Sequence, residues 1–475
     1  MIKSHKIQLK FPIIFLIALL SFNVYLYGDD SLGGANQLAL LLSAAFATIM
    51  GLKSGTSWKS ILKGVSNSIA STTPAIIILL LIGSIAGTWL ISGIVPTMIY
   101  YGLQILNPKI FLVATAIICA IVSLASGSSW STIATVGIAL LGIGNALDIS
   151  NGLTAGAIIS GAYFGDKMSP LSDTTNLAPA MAGTDLFTHI RYMMYTTIPS
   201  FVISLLIFLF IGLSMDNTQN SDDITNLLMA IESSFNISPW LFLVPVIVLL
   251  LIMKKVPALP ALFAGTLLGG IFAIIFQPHL IIELSGIDSN FFQASYVSII
   301  NAMGSETSIN TSNEMINDLL SSGGMYGMLN TIWLIICAMC FGGVMEASGA
   351  LKKISQSIIQ YAESTGSVIA TTACTCLFFN VTASDQYLSI VVPGRMYADT
   401  FKDKGLAPEN LSRTLEDSGT VTSVLVPWNT CGATQSAVLG VATMTYLPFC
   451  FFNLISPLMT ILYGYLGFKI KKIKS

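Results

Sequence analysis

Long apolar runs recur along the chain, and they constrain its fold more than any other feature of the sequence. A helix needs roughly 20 apolar residues to cross a lipid bilayer. Runs that approach or reach this length occupy residues 11–27, 38–51, 75–91, 110–124, 198–213, 241–253, 258–276, 332–345 and 447–468. Only 9% of the residues are charged, against about a quarter in soluble domains. The sequence therefore predicts an all-α polytopic membrane protein.

Composition excludes several classes of function. The net charge is -2 and the basic residues are dispersed, which argues against a nucleic-acid partner. The seven cysteines lie in apolar surroundings without a nearby histidine, so we assign them to packing and not to a metal site. No nucleotide or cofactor motif stands in a fitting context. We therefore expect no cofactor and no enzymatic activity, and the lipid bilayer is the expected surrounding.

Lysines and arginines concentrate on the cytoplasmic side of membrane proteins, so their positions predict topology. Lys3, Lys6 and Lys10 place the amino terminus in the cytoplasm, and the lysine-rich tail after Phe468 places the carboxyl terminus there. The stretches 216–236 and 278–324 contain acidic residues but no lysine or arginine, which places both outside. The first apolar run could be a cleaved signal peptide, although a retained first helix is favoured. We predict a multi-pass protein of the cell membrane.

Three short segments recur in order in the second half of the chain. GTWLISG (87–93) resembles GVMEASG (343–349), ASGSSWSTI (125–133) resembles ASDQYLSIV (383–391), and SPLSDTT (169–175) resembles VPWNTCG (426–432). The charge pattern makes the first block enter the membrane from the cytoplasm and the second from outside. Inverted repeats with discontinuous helices are typical of secondary transporters, whose sites lie where the repeats meet.

This pattern predicts two inverted-topology repeats with re-entrant hairpins and discontinuous transmembrane helices. The expected organisation is N-terminal transmembrane helices and an interfacial helix in 1–73, the first repeat in 74–214, linking helices with two extracytoplasmic loops in 215–325, the second repeat in 326–469 and a cytoplasmic tail in 470–475.

Each repeated segment interrupts an apolar run with glycine, proline or hydroxylated residues. Non-helical backbone at membrane depth is tolerated only inside protein or along a wet cavity, and a buried acid there is presumed functional. In the first copy we expect the 169–175 segment to be non-helical and to turn oxygens toward a small hard cation. Its candidate ion- and proton-binding residues are Asp166, Ser169, Ser172, Asp173, Thr174, Thr175 and Asn176.

The second copy offers its own oxygen donors. Its candidates are Asn380, Thr382, Asp385, Asn429 and Thr430, with Glu346 as an alternative proton site. Asp173 and Asp385 are the first choices for binding the metal ion, here sodium. Interhelical hydrogen bonds are the alternative role for the amides and hydroxyls, and an ion pair with Lys167 is the alternative role for Asp166. Glu416 and Asp417 open the last hairpin, and the sequence assigns neither a role.

The segment GAYFGDKMSPLSDTTNLAPAMAGTDLFTHI, residues 161–190, resembles the signature segment of the NhaC-type sodium/proton antiporters. GTWLISGIVPTMIYYGL (87–103) and VPWNTCG (426–432) are similar to other hallmarks of that family. PLSDT and PWNT also resemble the hairpin tips of sodium-coupled carboxylate carriers in the wider ion transporter superfamily, although Asp173 stands where such tips carry Asn.

The resemblance implies a secondary transporter that exchanges sodium for protons by alternating access, with Na+ and H+ as its substrates. Some members of the family exchange malate and sodium for lactate and protons, and others carry amino acids, so a carrier of small organic anions or amino acids is the alternative. The predicted hairpins offer Lys167 but no arginine, the residue best shaped to bind a carboxylate, which favours inorganic cations. A non-transporting scaffold or sensor would not need the helix breaks that both copies contain. The oligomeric state, with a homodimer among the options, is left open.

Overall fold

A computed structural model describes residues 11–27, 31, 33–215, 221–309, 320–351, 353–354 and 363–473. The predicted topology from Lys3, Lys6, Lys10 and Lys474 concerns residues outside this described part. The first half of the structure consists of α1 (Phe11–Tyr27), α2 (Ala35–Lys53), α3 (Trp58–Ser71), α4 (Thr73–Ile91), α5 (Ile94–Ile105), α6 (Pro108–Ser126), α7 (Ser129–Thr132), α8 (Ile138–Ala146), α9 (Asn151–Met168), α10 (Asp173–Ala182) and α11 (Leu186–Ser214). A π-helical turn, Ile133–Gly137, joins α7 to α8.

The second half begins with the linking helices α12 (Ser221–Ser234), α13 (Leu243–Met253), α14 (Ala258–Phe276), α15 (Pro278–Ser285) and α16 (Phe291–Gly304). Two short antiparallel strands, β1 (Thr307–Ser308) and β2 (Ser321–Ser322), follow. The remaining helices are α17 (Gly324–Gly327), α18 (Leu329–Ala347), α19 (Thr365–Thr382), α20 (Gln386–Asp403), α21 (Pro408–Leu415), α22 (Thr430–Leu439), α23 (Thr443–Tyr446) and α24 (Phe451–Leu466). A second π-helical turn, Glu416–Thr420, continues α21, and short 3-10 turns occupy Pro239–Phe242, Ser423–Leu425 and Leu447–Phe449.

The described residues contain eight helices that are long and apolar enough to cross a membrane, or ten when each of two bent pairs is counted as one span. The bent pairs join Thr225–Ser234 to Pro239–Met253 at 84° and Thr443–Phe449 to Phe451–Leu466 at 57°. Because almost all regular structure is helical and the apolar helices are numerous, the prediction of an all-α polytopic membrane protein is confirmed.

The internal repeat predicted from the sequence has a counterpart in the helices. Six elements of the second half, namely α18, α19, α20, α21, α22 and α23, begin 256 or 257 residues after α4, α6, α7, α9, α10 and α11, respectively. Their ends match as well, because the left-handed Gly93, Gly127 and Gly183 recur as left-handed Gly349, Ser384 and Gly440. The two halves therefore share the order of these six helices and three of the positions at which helices are interrupted.

The first copy is built around a close contact between α6 and α9. A Cβ atom added at Gly161 would lie 2.1 Å from the carbonyl oxygen of Ala116, and one added at Gly165 would lie 2.3 Å from that of Ala120. Small residues spaced four apart let two helix backbones approach in this way in membrane proteins. Because Gly165 directly precedes Asp166, this contact fixes the position of that carboxylate relative to α6.

The structure corrects the predicted extent of the first hairpin break. Helix α9 ends at Met168 and α10 begins at Asp173, so the non-helical backbone covers only the four residues between them. Asp173, Thr174 and Thr175 are helical, contrary to the expectation that 169–175 had left the helix. The physical reason is that the Ser172 side chain caps α10, which lets the helix restart immediately after the break.

Candidate functional site

The helix breaks of both copies surround one cavity of about 860 Å³. The first copy lines it with residues 126–131 at the end of α6, with Asp166, and with Pro170, Leu171, Ser172, Asp173, Thr174 and Asn176. The second copy contributes Asp385, Gln386 and Tyr387 at the start of α20, and Thr430 at the start of α22. Ser71, Thr72, Lys255 and Pro257 also line the cavity. The cavity is therefore shared between segments that are about half the chain apart.

Four helices begin at this cavity, and a side chain caps each of them. Amide N–H groups of the following turns donate to the caps over 3.2 Å at Ser128, 3.5 Å at Ser172, 2.8 Å at Asp385 and 3.0 Å at Asn429. Uncapped helix N-termini are ready-made anion sites because their N–H groups are free. Here the caps engage some of these donors, and the oxygens of Ser128, Ser172 and Asp385, which line the cavity, bring additional lone pairs to it. This arrangement favours a cation over an anion.

Asp166 links two breaks of the first copy. Its carboxylate accepts hydrogen bonds from the Ser129 hydroxyl at 2.7 Å and the Ser129 amide at 3.2 Å. The side chain is 8% exposed and borders the cavity. Both of these bonds go to Oδ2, and the Ser172 hydroxyl also lies close to the carboxylate, but the two oxygens together offer about four lone-pair sites, so acceptor capacity remains for a ligand. Asp166 is thus a buried acid with acceptor capacity at the cavity wall.

The other two cavity acids differ in their surroundings. Asp173 lies in the first turn of α10 with an exposed side chain, a position where an acid also stabilises the helix. Asp385 is 7% exposed and caps α20. The Thr430 amide donates to the Ser384 carbonyl at 3.0 Å, which binds the start of α22 to the break that contains Asp385.

Several predicted residues stabilise the breaks without bordering the cavity. Asn380 donates to the Gly419 carbonyl at 2.7 Å and the Thr422 hydroxyl at 2.9 Å, and Asn429 donates to Asn380. The remaining side chains bond to nearby backbone: Ser169 accepts from the Leu171 amide, Thr175 donates to the Lys167 carbonyl, and Thr382 donates to the Phe378 carbonyl. The bonds of Asn380 and Asn429 join different segments and match the alternative role of hydrogen bonding between helices, whereas those of Ser169 and Thr382 stay within their own segments.

Two further positions named from the sequence do not border the cavity. Glu346, the alternative proton site, is exposed near the end of α18 and does not border the cavity. Lys167 does not pair with its neighbour Asp166 among the described residues. It forms a fully buried ion pair with Asp417 and donates to the Ser456 hydroxyl at 3.0 Å.

Sequence reasoning missed Gln386, Tyr387 and the Lys167–Asp417 pair, and it gave Ser129 no partner. Ser129 lay within a recognised hydroxyl-rich break, but only the fold shows that its amide and hydroxyl meet Asp166. The Lys167 partner stands 250 residues away, and no local signal in the sequence connects them. Cross-copy contacts of this kind require the fold.

The potential cation ligands around the cavity are oxygen atoms that belong to separate residues. In the described part of the chain no group of three or more His, Cys, Asp or Glu residues could hold a metal ion. A cation in the cavity would therefore rely on hydroxyl and carbonyl oxygens as well as carboxylates. Arg413, which is fully buried, lies elsewhere: it donates to the Lys469 carbonyl at 3.1 Å and stacks on Tyr192.

Known proteins resemble this chain over almost its full length. The model of the Na+/H+ antiporter family matches residues 161–468. A protein of Alkalihalophilus pseudofirmus named Na(+)/H(+) antiporter NhaC is 40% identical over 92% of each chain. The Malate-2H(+)/Na(+)-lactate antiporter of Bacillus subtilis is 37% identical over 96% of this chain and 93% of its own.

The Arginine/ornithine antiporter ArcD of Halobacterium salinarum is 34% identical over 98% of this chain and 92% of its own. These relatives, with the family match across both copies' hairpins, confirm the family that the 161–190 segment resembles. The chain belongs to the Na+/H+ antiporter family and is a secondary transporter, not an enzyme.

Proposed function

We propose that this protein exchanges sodium for protons across the cell membrane by alternating access. The observation that carries the proposal is the cavity between the two copies, where Asp166, Asp173 and Asp385 meet hydroxyl oxygens and capped helix starts. Sodium is a hard cation that prefers such oxygen ligands. Na+ is the transported ion and no cofactor takes part.

Exchange follows from competition for the cavity carboxylates. A bare carboxylate in a low-dielectric site is costly, and either a proton or a sodium ion removes that cost. The protein switches between its inward-open and outward-open states only when the buried charge is neutralised. Each cycle therefore carries one kind of cation in each direction. Asp166, Asp173 and Asp385 are the residues we assign to this competition, with Ser172, Thr174 and Thr430 as neutral oxygen donors.

The described conformation is assigned as open to the cytoplasm. Lys255 and Pro257 border the cavity, and Lys254 and Lys255 form a cytoplasmic loop under the positive-inside rule. Both termini are assigned to the same side, and the two copies are assigned opposite orientations in the membrane. Alternating access then rocks the hairpin tips of one copy against those of the other around the cavity.

A carrier of small organic ions is the second candidate. The cavity volume of about 860 Å³ exceeds what a single sodium ion needs, and two of the relatives are named for malate and lactate and for arginine and ornithine. The described cavity wall, however, contains no arginine, and an arginine fork is the usual means of holding a carboxylate. Inorganic cation exchange therefore agrees better with the lining.

The purified protein in liposomes with an acidic lumen separates the two candidates. We expect external sodium chloride alone to dissipate the pH gradient, with malate, lactate, arginine and ornithine each inactive as potassium or chloride salts. Dissipation that requires one of the organic solutes would overturn sodium–proton exchange in favour of the second candidate. Protein-free liposomes and liposomes with the Asp166→Asn protein serve as controls.

A further inference from the structure

A single basic residue borders the cation cavity. Among the described residues that line it, Lys255 is the only lysine, arginine or histidine, and the acids are Asp166, Asp173 and Asp385. Lys255 belongs to the loop between α13 and α14, which is part of neither copy. Its side chain is exposed, and within the described part of the chain it has no ion pair and no side-chain hydrogen bond. Its charge is therefore free to act on ions that enter the cavity.

The backbone of the loop holds Lys255 at the cavity border. Its φ is 64°, in the left-handed region that residues with a Cβ rarely adopt. Two hydrogen bonds fix the turn, because the Lys255 amide donates to the Ile252 carbonyl at 2.8 Å and the Val256 amide donates to the Leu251 carbonyl at 3.1 Å. Val256 also packs against the hydrophobic core. The positive charge is thus attached to a well-fixed turn by a flexible stem.

Oxygen ligands alone do not make a cavity selective for sodium over divalent cations. Calcium and magnesium ions are hard cations that also bind carboxylate and carbonyl oxygens. The attraction between a carboxylate and an ion is proportional to the charge of the ion. The three cavity acids therefore attract a divalent cation twice as strongly as a sodium ion at the same position. A sodium carrier with this lining needs a feature that discriminates against the second charge.

We propose that Lys255 is a specificity-determining residue that disfavours divalent cations in the cavity. The proposal rests on the sodium–proton exchange proposed above. Repulsion by the ammonium group is also proportional to the charge of the ion, so the factor by which Lys255 weakens sodium binding is squared for a divalent cation. Sodium and the proton carry the same single charge. Lys255 therefore acts on both alike, and their competition for the cavity carboxylates remains.

Equilibrium binding to the purified protein tests the proposal, with sodium chloride and calcium chloride as the probes. Binding of radioactive sodium gives its apparent Kd, and displacement of that sodium by calcium chloride gives the inhibition constant of calcium. Both are measured at one ionic strength, because salt screens the charge. Lys255→Gln removes the charge and keeps a polar side chain.

We expect sodium to bind Lys255→Gln about threefold more tightly than wild type, the effect of a unit charge roughly 7 Å away in a water-like medium. Calcium is expected to bind about tenfold more tightly, because its factor is the square of the factor for sodium. Equal factors for the two ions would overturn the proposal, as would unchanged binding of both.

Lys254→Gln is the matched control. Lys254 directly precedes Lys255 and is also exposed, but it does not border the cavity. We expect Lys254→Gln to bind both ions like wild type. Lys255→Arg keeps the positive charge and is expected to do the same. Changes in Lys254→Gln as large as those in Lys255→Gln would refute the proposal, and so would a gain of calcium binding in Lys255→Arg.

Failure of the exchange function gives a different result from failure of the selectivity role. If sodium drives no proton movement by wild-type protein in liposomes, sodium–proton exchange is wrong and the role of Lys255 falls with it. If wild type exchanges the two ions and calcium displaces sodium equally well from wild type and Lys255→Gln, only the assignment of Lys255 fails.

Discussion

Asp166 and Lys167 are consecutive residues whose side chains make contacts in different parts of the protein. Asp166 binds Ser129 at the cavity wall, whereas Lys167 reaches Asp417 of the second copy. The Lys167 ammonium also lies 5.6 Å from the centre of the Phe452 ring. One pair of neighbours thus connects the cation cavity to the interface between the copies.

Breaking the buried pair is expected to destabilise the protein strongly. Removing one partner of a buried ion pair leaves an unpaired charge and costs about 3–5 kcal/mol, whereas replacing both with apolar residues is often neutral. We predict that Lys167→Met and Asp417→Leu each lower the thermal unfolding temperature in detergent, and that the double variant regains most of the loss. Additive losses in the double variant would show that the two side chains do not interact.

At this scale the sequence identifies a break but not the direction of each side chain. Thr174 and Thr175 are adjacent hydroxyls in one predicted cluster, yet Thr174 borders the cavity and Thr175 donates to the Lys167 carbonyl. Asp166, Ser172 and Asp385 were predictable as polar residues beside a break. Their partners were not, because hydrogen bonds such as Asn380 to Gly419 join residues far apart in the chain.

Among the elements, the breaks between helices recur at matching positions in the two copies. Gly127 ends α6 in the left-handed conformation, with φ at 70°, and Ser384 does the same after α19, with φ at 59°. Each is followed by a capped helix whose first turn borders the cavity. The repeated positions of these breaks were predictable from glycine and hydroxyl patterns, whereas the π-helical turns had no recognised signal.

Gly127 and Gly183 are both left-handed glycines, but a Cβ atom added at each would meet different surroundings. A Cβ at Gly127 would lie 2.6 Å from the Leu171 Cβ and 2.9 Å from the Ser172 amide, whereas Gly183, with φ at 83°, has no atom within 4 Å of an added Cβ. Both alanine variants suffer the backbone strain, about 1–2 kcal/mol. Only Gly127→Ala also displaces the break at Leu171 and Ser172.

We therefore predict that Gly127→Ala loses sodium-driven proton flux while Gly183→Ala retains it, with both proteins present in the membrane. Flux in proteoliposomes that contain equal amounts of protein is the measurement. Equal flux from the two variants would show that the close approach of Gly127 to the α9–α10 break does not matter for transport.

In the whole molecule, the carboxyl-terminal tail joins the two copies at one end. The Lys469 carbonyl accepts from Tyr192 of α11 and from Arg413 of α21, and the Ala407 amide donates to the Lys471 carbonyl. A hydrogen bond to the Glu409 carboxylate raises the pKa of Lys471. This contact is therefore fully present below the ordinary lysine value of about 10.4 and is lost only as the pH rises through the raised value.

The orientation of the molecule makes a direct prediction for Lys255 at the cavity border. We predict that a membrane-impermeant maleimide labels Lys255→Cys in inside-out vesicles and not in intact cells, because the cavity is assigned as open to the cytoplasm. The wild-type chain supplies the background from its native cysteines. Labelling confined to intact cells would reverse the assigned topology, which rests on the distribution of lysines in the sequence.

The central claim is that sodium and protons compete for one oxygen-lined cavity between the two copies. Equilibrium binding of radioactive sodium to the purified protein over a pH series tests it most directly. For one-for-one competition we predict that the apparent Kd rises about tenfold for each pH unit below the point where protons begin to compete, and that Asp166→Asn abolishes saturable binding. Sodium binding that is independent of pH, or that survives in Asp166→Asn unchanged, would contradict the claim.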